Sequence, residues 1–348
     1  MKRPLKAFIL AAGFGSRLRP LTDDCPKTLL PFLGIPILYL ILAKLAHVQV
    51  DEIFVNGHYL SSRIESALHD FSLPIKTTFC PEHPTILGTG GAISALRPHF
   101  QNCDVIVING DIVSDIDLEK LIHQHQEQGP LATMGLLREA APSKTLIWCE
   151  NQQIQSIGAA SPKPGSLETA HSFACAHVLS SEFIQEIPDG PCEIIPIYRK
   201  LITQGHKIGF LATQPFWFDI GSPSAYFEAH MAALTSQTLS SLSPHFPLAF
   251  CWEKIRSSPF HLREGESLLD SGSECIGPLF SSSKLALAPG CRLGPYVVNM
   301  SSHSSLPKKL CIRNSLLLPG AYIEPGENID YTIVARDFRL DMSHLKKI

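Results

Sequence analysis

The chain is predicted to be an α/β protein with a mostly parallel sheet, followed by a short C-terminal domain resembling a β-helix. Over the first 230 or so residues, short apolar runs alternate with helix-like segments, the pattern of strands joined by crossover helices. The two densest motifs of glycine and charge each follow an apolar run directly, and ligands of such sheets bind beyond the carboxyl ends of the strands. Past residue 272, apolar residues recur every six positions between Gly and Pro turns, which suggests stacked coils.

Taken in order, the predicted strands cover residues 7–10, 52–55, 75–79, 105–109 and 132–137, each a short apolar or β-branched run. Predicted helices cover 37–46, 61–69, 89–96 and 118–128. The first domain is expected to span 1–235. A bridge rich in Ser, Pro and His follows over 236–271, and the coiled domain covers 272–348. There Leu317, Ile323 and Ile329 form one six-residue series and Leu287 with Leu293 another. The series is interrupted around Ser301 to Lys309, and a miscellaneous β-rich tail is the alternative.

With 29 Lys and Arg against 32 Asp and Glu, there is no basic excess to indicate nucleic-acid binding. No run approaches the roughly 20 apolar residues of a membrane span. The apolar run after Lys2, Arg3 and Lys6 is too short for a signal peptide, so a cytoplasmic protein without a membrane partner is expected. None of the 10 cysteines forms a Cys-x-x-Cys pair, which speaks against a disulfide framework or zinc knuckle. The 15 histidines lack metal spacing, and His123 and His125 are not expected to be ligands. Asn56, His58 and Tyr59 follow a strand and read as the anchor of a turn.

The segment from Phe8 to Pro31, FILAAGFGSRLRPLTDDCPKTLLP, carries the most chemistry. Glycines let a main chain approach a polyphosphate closely and present N–H groups to it, while cations offset its charge. It is not a Walker loop, because no Lys-Ser/Thr follows the glycines at the required spacing. Leu18 stands where the dinucleotide fingerprint needs its third glycine.

Through Leu10 to Thr22 and Pro26 to Pro31, this segment closely resembles the signature of the sugar-1-phosphate nucleotidyltransferases. The resemblance implies a Rossmann-like nucleotidyltransferase domain, often followed in that family by a left-handed β-helix. It implies transfer of a nucleoside monophosphate from an NTP to a sugar 1-phosphate, releasing pyrophosphate, with Mg2+. Such a reaction needs no side-chain nucleophile, only neutralised charge and in-line alignment. Leu10, Ala11, Ala12, Gly13, Gly15 and Ser16 would wrap the nucleotide. Arg17 would contact the departing phosphates and Lys27 the reacting centre.

Val105 to Asp111 reads VIVINGD, matching the Gly-Asp of the family, whose aspartate binds magnesium; a helix N-cap is the other reading for Asp111. Asp115 and Asp117 fit capping better. Trp217 to Pro223, WFDIGSP, resembles the segment whose aspartate completes the metal site, here Asp219; a turn before a helix opening at Pro223 is the alternative. Leu87 to Ala92, LGTGGA, matches the base-reading loop, placing Gly88, Thr89 and Gly90 at the nucleotide.

On the sugar side Lys163 stands near the family's Glu-Lys-Pro lysine, without its acidic neighbour, and Glu193 is expected to accept from sugar hydroxyls. Among relatives the chain looks most like the mannose-1-phosphate guanylyltransferase group, which suggests GTP with mannose or heptose 1-phosphate. A UTP-dependent uridylyltransferase, or a silent regulatory subunit of the same fold, is the alternative. The coiled domain is expected to mediate homo-oligomerisation. An acyltransferase there is discounted, since the repeat is short and interrupted and His303 lies among serines.

Overall fold

The computed structural model describes residues 3–71, 73–139, 145–158, 169–234, 260–262, 266–270, 272–282, 285–301 and 306–346. By contacts the chain divides into two compact units: Met1–Phe14, Asp24–Thr28 and Ile41–Trp217 form the first, and Gly15–Asp23, Leu29–Leu40 and Phe218–Ile348 the second. The division does not follow chain order, for the second unit takes two segments of the N-terminal signature.

The first unit is built on a nine-stranded sheet. Its spatial order is Thr77–Pro81, Glu52–Gly57, Leu5–Leu10, Asp104–Asn109, Thr169–Leu179, Ala132–Leu137, Ile208–Thr213, Gln153–Ile157 and Leu146–Glu150. Ala7, Phe8 and Ile9 are fully buried on both faces of their strand, as in a central parallel strand covered by helices. The first four strands are mutually parallel, with Leu10 opposite Asn109. Beyond them the sheet is mixed. Thr169–Leu179 enters antiparallel to both neighbours, with a register shift between Phe173 and His177 where Cys175 has φ 59°. The expected mostly parallel sheet therefore holds for one half, because apolar runs reveal a strand but not its direction.

The expected helices form over Ile37–His47, Ser61–Asp70, Gly88–Ala95 and Leu118–Gln128. In the last, Leu118, Leu121, Ile122 and His125 make the buried stripe. Asp117 caps its start by accepting from Lys120 N at 2.9 Å, and Gly129 ends it in the left-handed conformation. The core gathers Phe8, Phe54, Val107, Met134, Leu179 and Tyr198.

In the second unit, helix Pro223–Leu234 holds the short hairpin of Pro31–Phe32 and Ile35–Pro36. Buried His230 accepts from Leu33 N through Nε2 (3.2 Å), and its Nδ1 lies 2.8 Å from Tyr226 O. Its ring is thus neutral, and burial pushes its pKa down to about 4. Tyr331 stacks on Phe227 of the same helix.

The C-terminal strands form two parallel ladders. Phe280, Val298, Leu316 and Ile333 align in one, and Cys275, Leu293, Ile312 and Ile329 in the other. Partners are roughly 18 residues apart, three six-residue faces per coil. Leu317 and Ile329 lie in strands of the two ladders and Ile323 between them, all three buried. Strands Phe260–Leu262 and Ser267–Asp270, inside the expected bridge, pair antiparallel onto the first strands of these ladders. The rest of the bridge over 235–259, and His303, lie outside the described residues.

Candidate active site

In the first unit the parallel pairing of Leu5–Leu10 with Asp104–Asn109 sets two motifs side by side, because both strands end at the same level. Gly110 N donates to Leu10 O at 2.8 Å. A Cβ on Gly110 would stand 2.9 Å from Leu10 O and 2.7 Å from Thr28 Cγ2, so only glycine admits this approach. Asp111 follows, and its Oδ2 accepts from Lys27 Nζ. Among the described residues, its Oδ1 is buried without a hydrogen-bond partner, as is Thr28 Oγ1. A buried carboxylate oxygen left unpaired is costly, and a hard cation bound through oxygen is one way to satisfy it. Asp111 caps no helix: that role falls to Asp117. The residues present therefore fit a magnesium ion, which asks for few protein carboxylates and draws its other ligands from phosphate and water.

Gly13, in the first glycine loop, is exposed, and a Cβ there would meet nothing within 4 Å. The loop's base is held differently. Ala11 N donates to Asn56 Oδ1 (2.5 Å), and Asn56 Nδ2 donates to Glu82 Oε1 (2.6 Å). The other oxygen of Glu82 accepts from Leu87 N at 2.7 Å, while Glu82 O lies 2.8 Å from His58 Nδ1. Glu82 is buried, and both its oxygens are satisfied by these donors. One carboxylate thus ties the start of the first glycine loop to the start of the second. Sequence reasoning saw Asn56 and His58 as a turn anchor but missed Glu82. The available signal was an acid five residues before a glycine loop, at the end of a strand.

The second loop, at the start of helix Gly88–Ala95, lies against residues 190–193. Gly90 and Gly91 N both donate to Cys192 O (2.9 and 3.1 Å), and Cys192 N donates to Leu87 O (3.0 Å). A Cβ would come within 2.7 Å of Cys192 O at Gly88, 2.8 Å of Cys192 Sγ at Gly90 and 2.5 Å of Gly190 O at Gly91. Gly88 also has φ +72°, a conformation that favours glycine. Thr89 Oγ1 donates to Glu193 Oε2 at 2.7 Å. The structure therefore brings together Gly88, Thr89, Gly90 and Glu193.

In the second unit Gly15 takes φ +64° before a tight turn over Ser16–Leu18. Its carbonyl accepts from Leu18 N (2.9 Å) and from the buried Thr22 hydroxyl (2.8 Å). Arg17 is exposed on that turn. A Cβ on Gly221 would stand 3.4 Å from Arg17 Nη2 and 3.2 Å from Asp219 Oδ1, so the two charged groups converge on this glycine. Ala225 N donates to Ser222 Oγ at 3.2 Å, which makes Ser222 the side chain that caps helix Pro223–Leu234. Lys163 lies outside the described residues, so the structure gives it no place.

Residues 6–157 match the model of the nucleotidyl transferase family. A Sulfolobus acidocaldarius protein named as a mannose-1-phosphate guanyltransferase is 30% identical over 234 residues, 66% of this chain and 64% of its own length. The chain thus spans just under two thirds of that relative. The mannose-1-phosphate guanylyltransferase of Mycobacterium tuberculosis is 27% identical over 278 residues, 78% of this chain and 76% of that one. Among solved structures, HddC from Yersinia pseudotuberculosis superposes with a TM-score of 0.54 at 24% identity, covering 64% of this chain and 97% of that one; this likeness is one of fold.

Proposed function

We propose that the chain transfers a nucleoside monophosphate from an NTP to a sugar 1-phosphate, releasing pyrophosphate, a reading supported by the match of residues 6–157 to the nucleotidyl transferase family. GTP with mannose or heptose 1-phosphate is the pair we favour, a choice supported by the guanylyltransferase relatives. The observation that carries the reading is Asp111. It sits at the end of a central strand, with Lys27 on one carboxylate oxygen and the other buried without a hydrogen-bond partner among the described residues.

In the reaction, a phosphate oxygen of the sugar 1-phosphate attacks the α-phosphorus, and the bond to the β,γ-pyrophosphate breaks. Both partners are anionic, so Lys27 draws them together and offsets the charge that builds up at the reacting phosphorus. Gly13 leaves room for the triphosphate beside the main chain. Arg17 takes the departing pyrophosphate, and Glu193 accepts from the sugar hydroxyls, with Lys163 kept for the sugar phosphate. Asp111 and Asp219 would hold magnesium, which when bound neutralises phosphate charge and polarises the α-phosphoryl group.

Pyrophosphate release across five NTPs and a panel of sugar 1-phosphates, with magnesium, tests the reading. Turnover with one pair, lost in Asp111→Asn, supports it. Silence across the panel, with a nucleotide-sugar still raising the melting temperature, points instead to a regulatory subunit. We also propose the functional division at 1–235, 236–271 and 272–348, a left-handed sense for the C-terminal coils, and a cytoplasmic homo-oligomer. Light scattering on the full chain tests the assembly.

A further inference from the structure

Glu193 is the N-cap residue of helix Ile194–Thr203, yet its side chain makes no capping bond. An N-cap side chain ordinarily turns down onto its own helix and accepts from one of the first N–H groups. Here Ile194 N donates instead to Thr89 Oγ1, at 2.9 Å, from a residue far away in sequence. The same hydroxyl donates to Glu193 Oε2 at 2.7 Å. A threonine hydroxyl has one proton to give, so this one is engaged and cannot also donate to a nucleobase. By serving the helix end, Thr89 leaves the glutamate turned outward. Glu193 is exposed, and its Oε1 makes no hydrogen bond among the described residues. That oxygen stands 3.0 Å from where a Cβ on Gly88 would lie, directly beside the base-reading loop.

We propose that Thr89 is a positioning residue, not a nucleotide ligand: its hydroxyl clamps Glu193 in the orientation that meets the acceptor sugar, and so couples the base loop to sugar selection. The proposal rests on the reading of Glu193 as the residue that meets the sugar. Main-chain bonds between Leu87–Gly91 and Cys192 already fix the distance between the two segments. What the hydroxyl adds is the rotamer of one charged side chain, through a charge-assisted bond. A nucleotide that orders the 87–91 loop thereby also orders the carboxylate, and the sugar 1-phosphate binds better to the nucleotide-loaded enzyme than to the empty one.

Initial-rate kinetics of pyrophosphate release, with the pair that the wild type turns over, test this in Thr89→Val, Thr89→Ser, Glu193→Gln and the Val/Gln double variant. Val keeps the shape and loses both hydrogen bonds; Ser restores them. Thr89→Val should raise KM for the sugar 1-phosphate about tenfold and leave KM for the NTP within about twofold. Thr89→Ser should behave as wild type. The double variant should be no worse than Glu193→Gln alone, since the two residues act as one unit. A rise in the NTP KM alone would make Thr89 a nucleotide ligand and overturn the proposal, as would additive effects in the double variant. Should Val lower the melting temperature enough to obscure the kinetics, Thr89→Ala replaces it under the same criteria. A wild type that turns over no pair refutes the functional reading itself, a result distinct from any ranking of the variants.

Discussion

The two glycine loops look alike in sequence and differ in what their glycines meet. At Gly13 a side chain would find open space; at Gly88, Gly90 and Gly91 it would collide with residues 190–193. At Gly13 the first loop leaves its space open, as the proposed triphosphate would require. The second is spare because the chain itself lies there, and its Gly90 and Gly91 N–H groups already serve Cys192. A glycine-rich stretch before a helix is therefore not by itself a ligand cradle. What decides is whether the volume cleared by the missing Cβ is empty or filled.

The largest expected effect is at the mouth of the first loop. Asp111→Asn should lower the rate of pyrophosphate release about a hundredfold or more, with a melting temperature within a few degrees of wild type. A normal rate in a folded variant would remove Asp111 from the chemistry and with it the contrast between the loops. Next, Gly13→Ala should cut kcat/KM for the NTP about tenfold, since a methyl group occupies the space of a phosphate. Its thermal unfolding should be unchanged, because nothing lies within 4 Å. A matching loss of stability would mean that the first loop is as filled as the second.

The second loop should answer in the opposite way. Gly91→Ala forces a methyl group to within 2.5 Å of a backbone carbonyl, an overpacking that costs about 1–3 kcal/mol. Calorimetry should show a melting temperature lower by roughly 2–4 °C per kcal/mol. The folded enzyme should retain kcat, and an undisturbed melting curve would show that residues 190–193 yield easily.

The smallest effect concerns the support under that loop. His177, fully buried against the hydroxyl of Tyr198 on helix Ile194–Thr203, has its pKa pushed down to about 3 by burial. The unfolded chain takes up a proton at this residue near pH 6.5, while the native state does not until about pH 3. This contribution to stability is therefore complete above pH 6.5 and is lost progressively as the pH falls toward 3. Melting temperatures of His177→Gln between pH 7 and 4 should fall less steeply than those of wild type; parallel curves would show that the ring takes up its proton in the folded state.

Much of this was legible beforehand. The parallel strands of the first unit, its four crossover helices and the six-residue faces of the coil follow from local apolar periodicity, which depends only on neighbouring residues. The motifs holding Lys27, Asp111, Arg17 and Asp219 were visible as dense runs of charge and glycine, and the roles proposed for these residues are for the rate measurements to decide. Direction was not legible: nothing in the run Thr169–Leu179 says that it enters the sheet antiparallel, since side-chain alternation is the same either way. Nor was Glu82, whose importance lies in joining Asn56 to Leu87 across distant parts of the chain.

By itself, then, the sequence determined which residues carry charge and which segments become strands and helices, because these depend on composition and short spacing. The tertiary structure alone decided that Asp111, beside Lys27, keeps one oxygen without a hydrogen-bond partner among the described residues, that Thr89 caps a helix more than a hundred residues away, and that the second loop's glycines make room for the chain. Those outcomes are set by packing between segments distant in sequence, where a hydrogen bond or a collision depends on tenths of an ångström that no local pattern records.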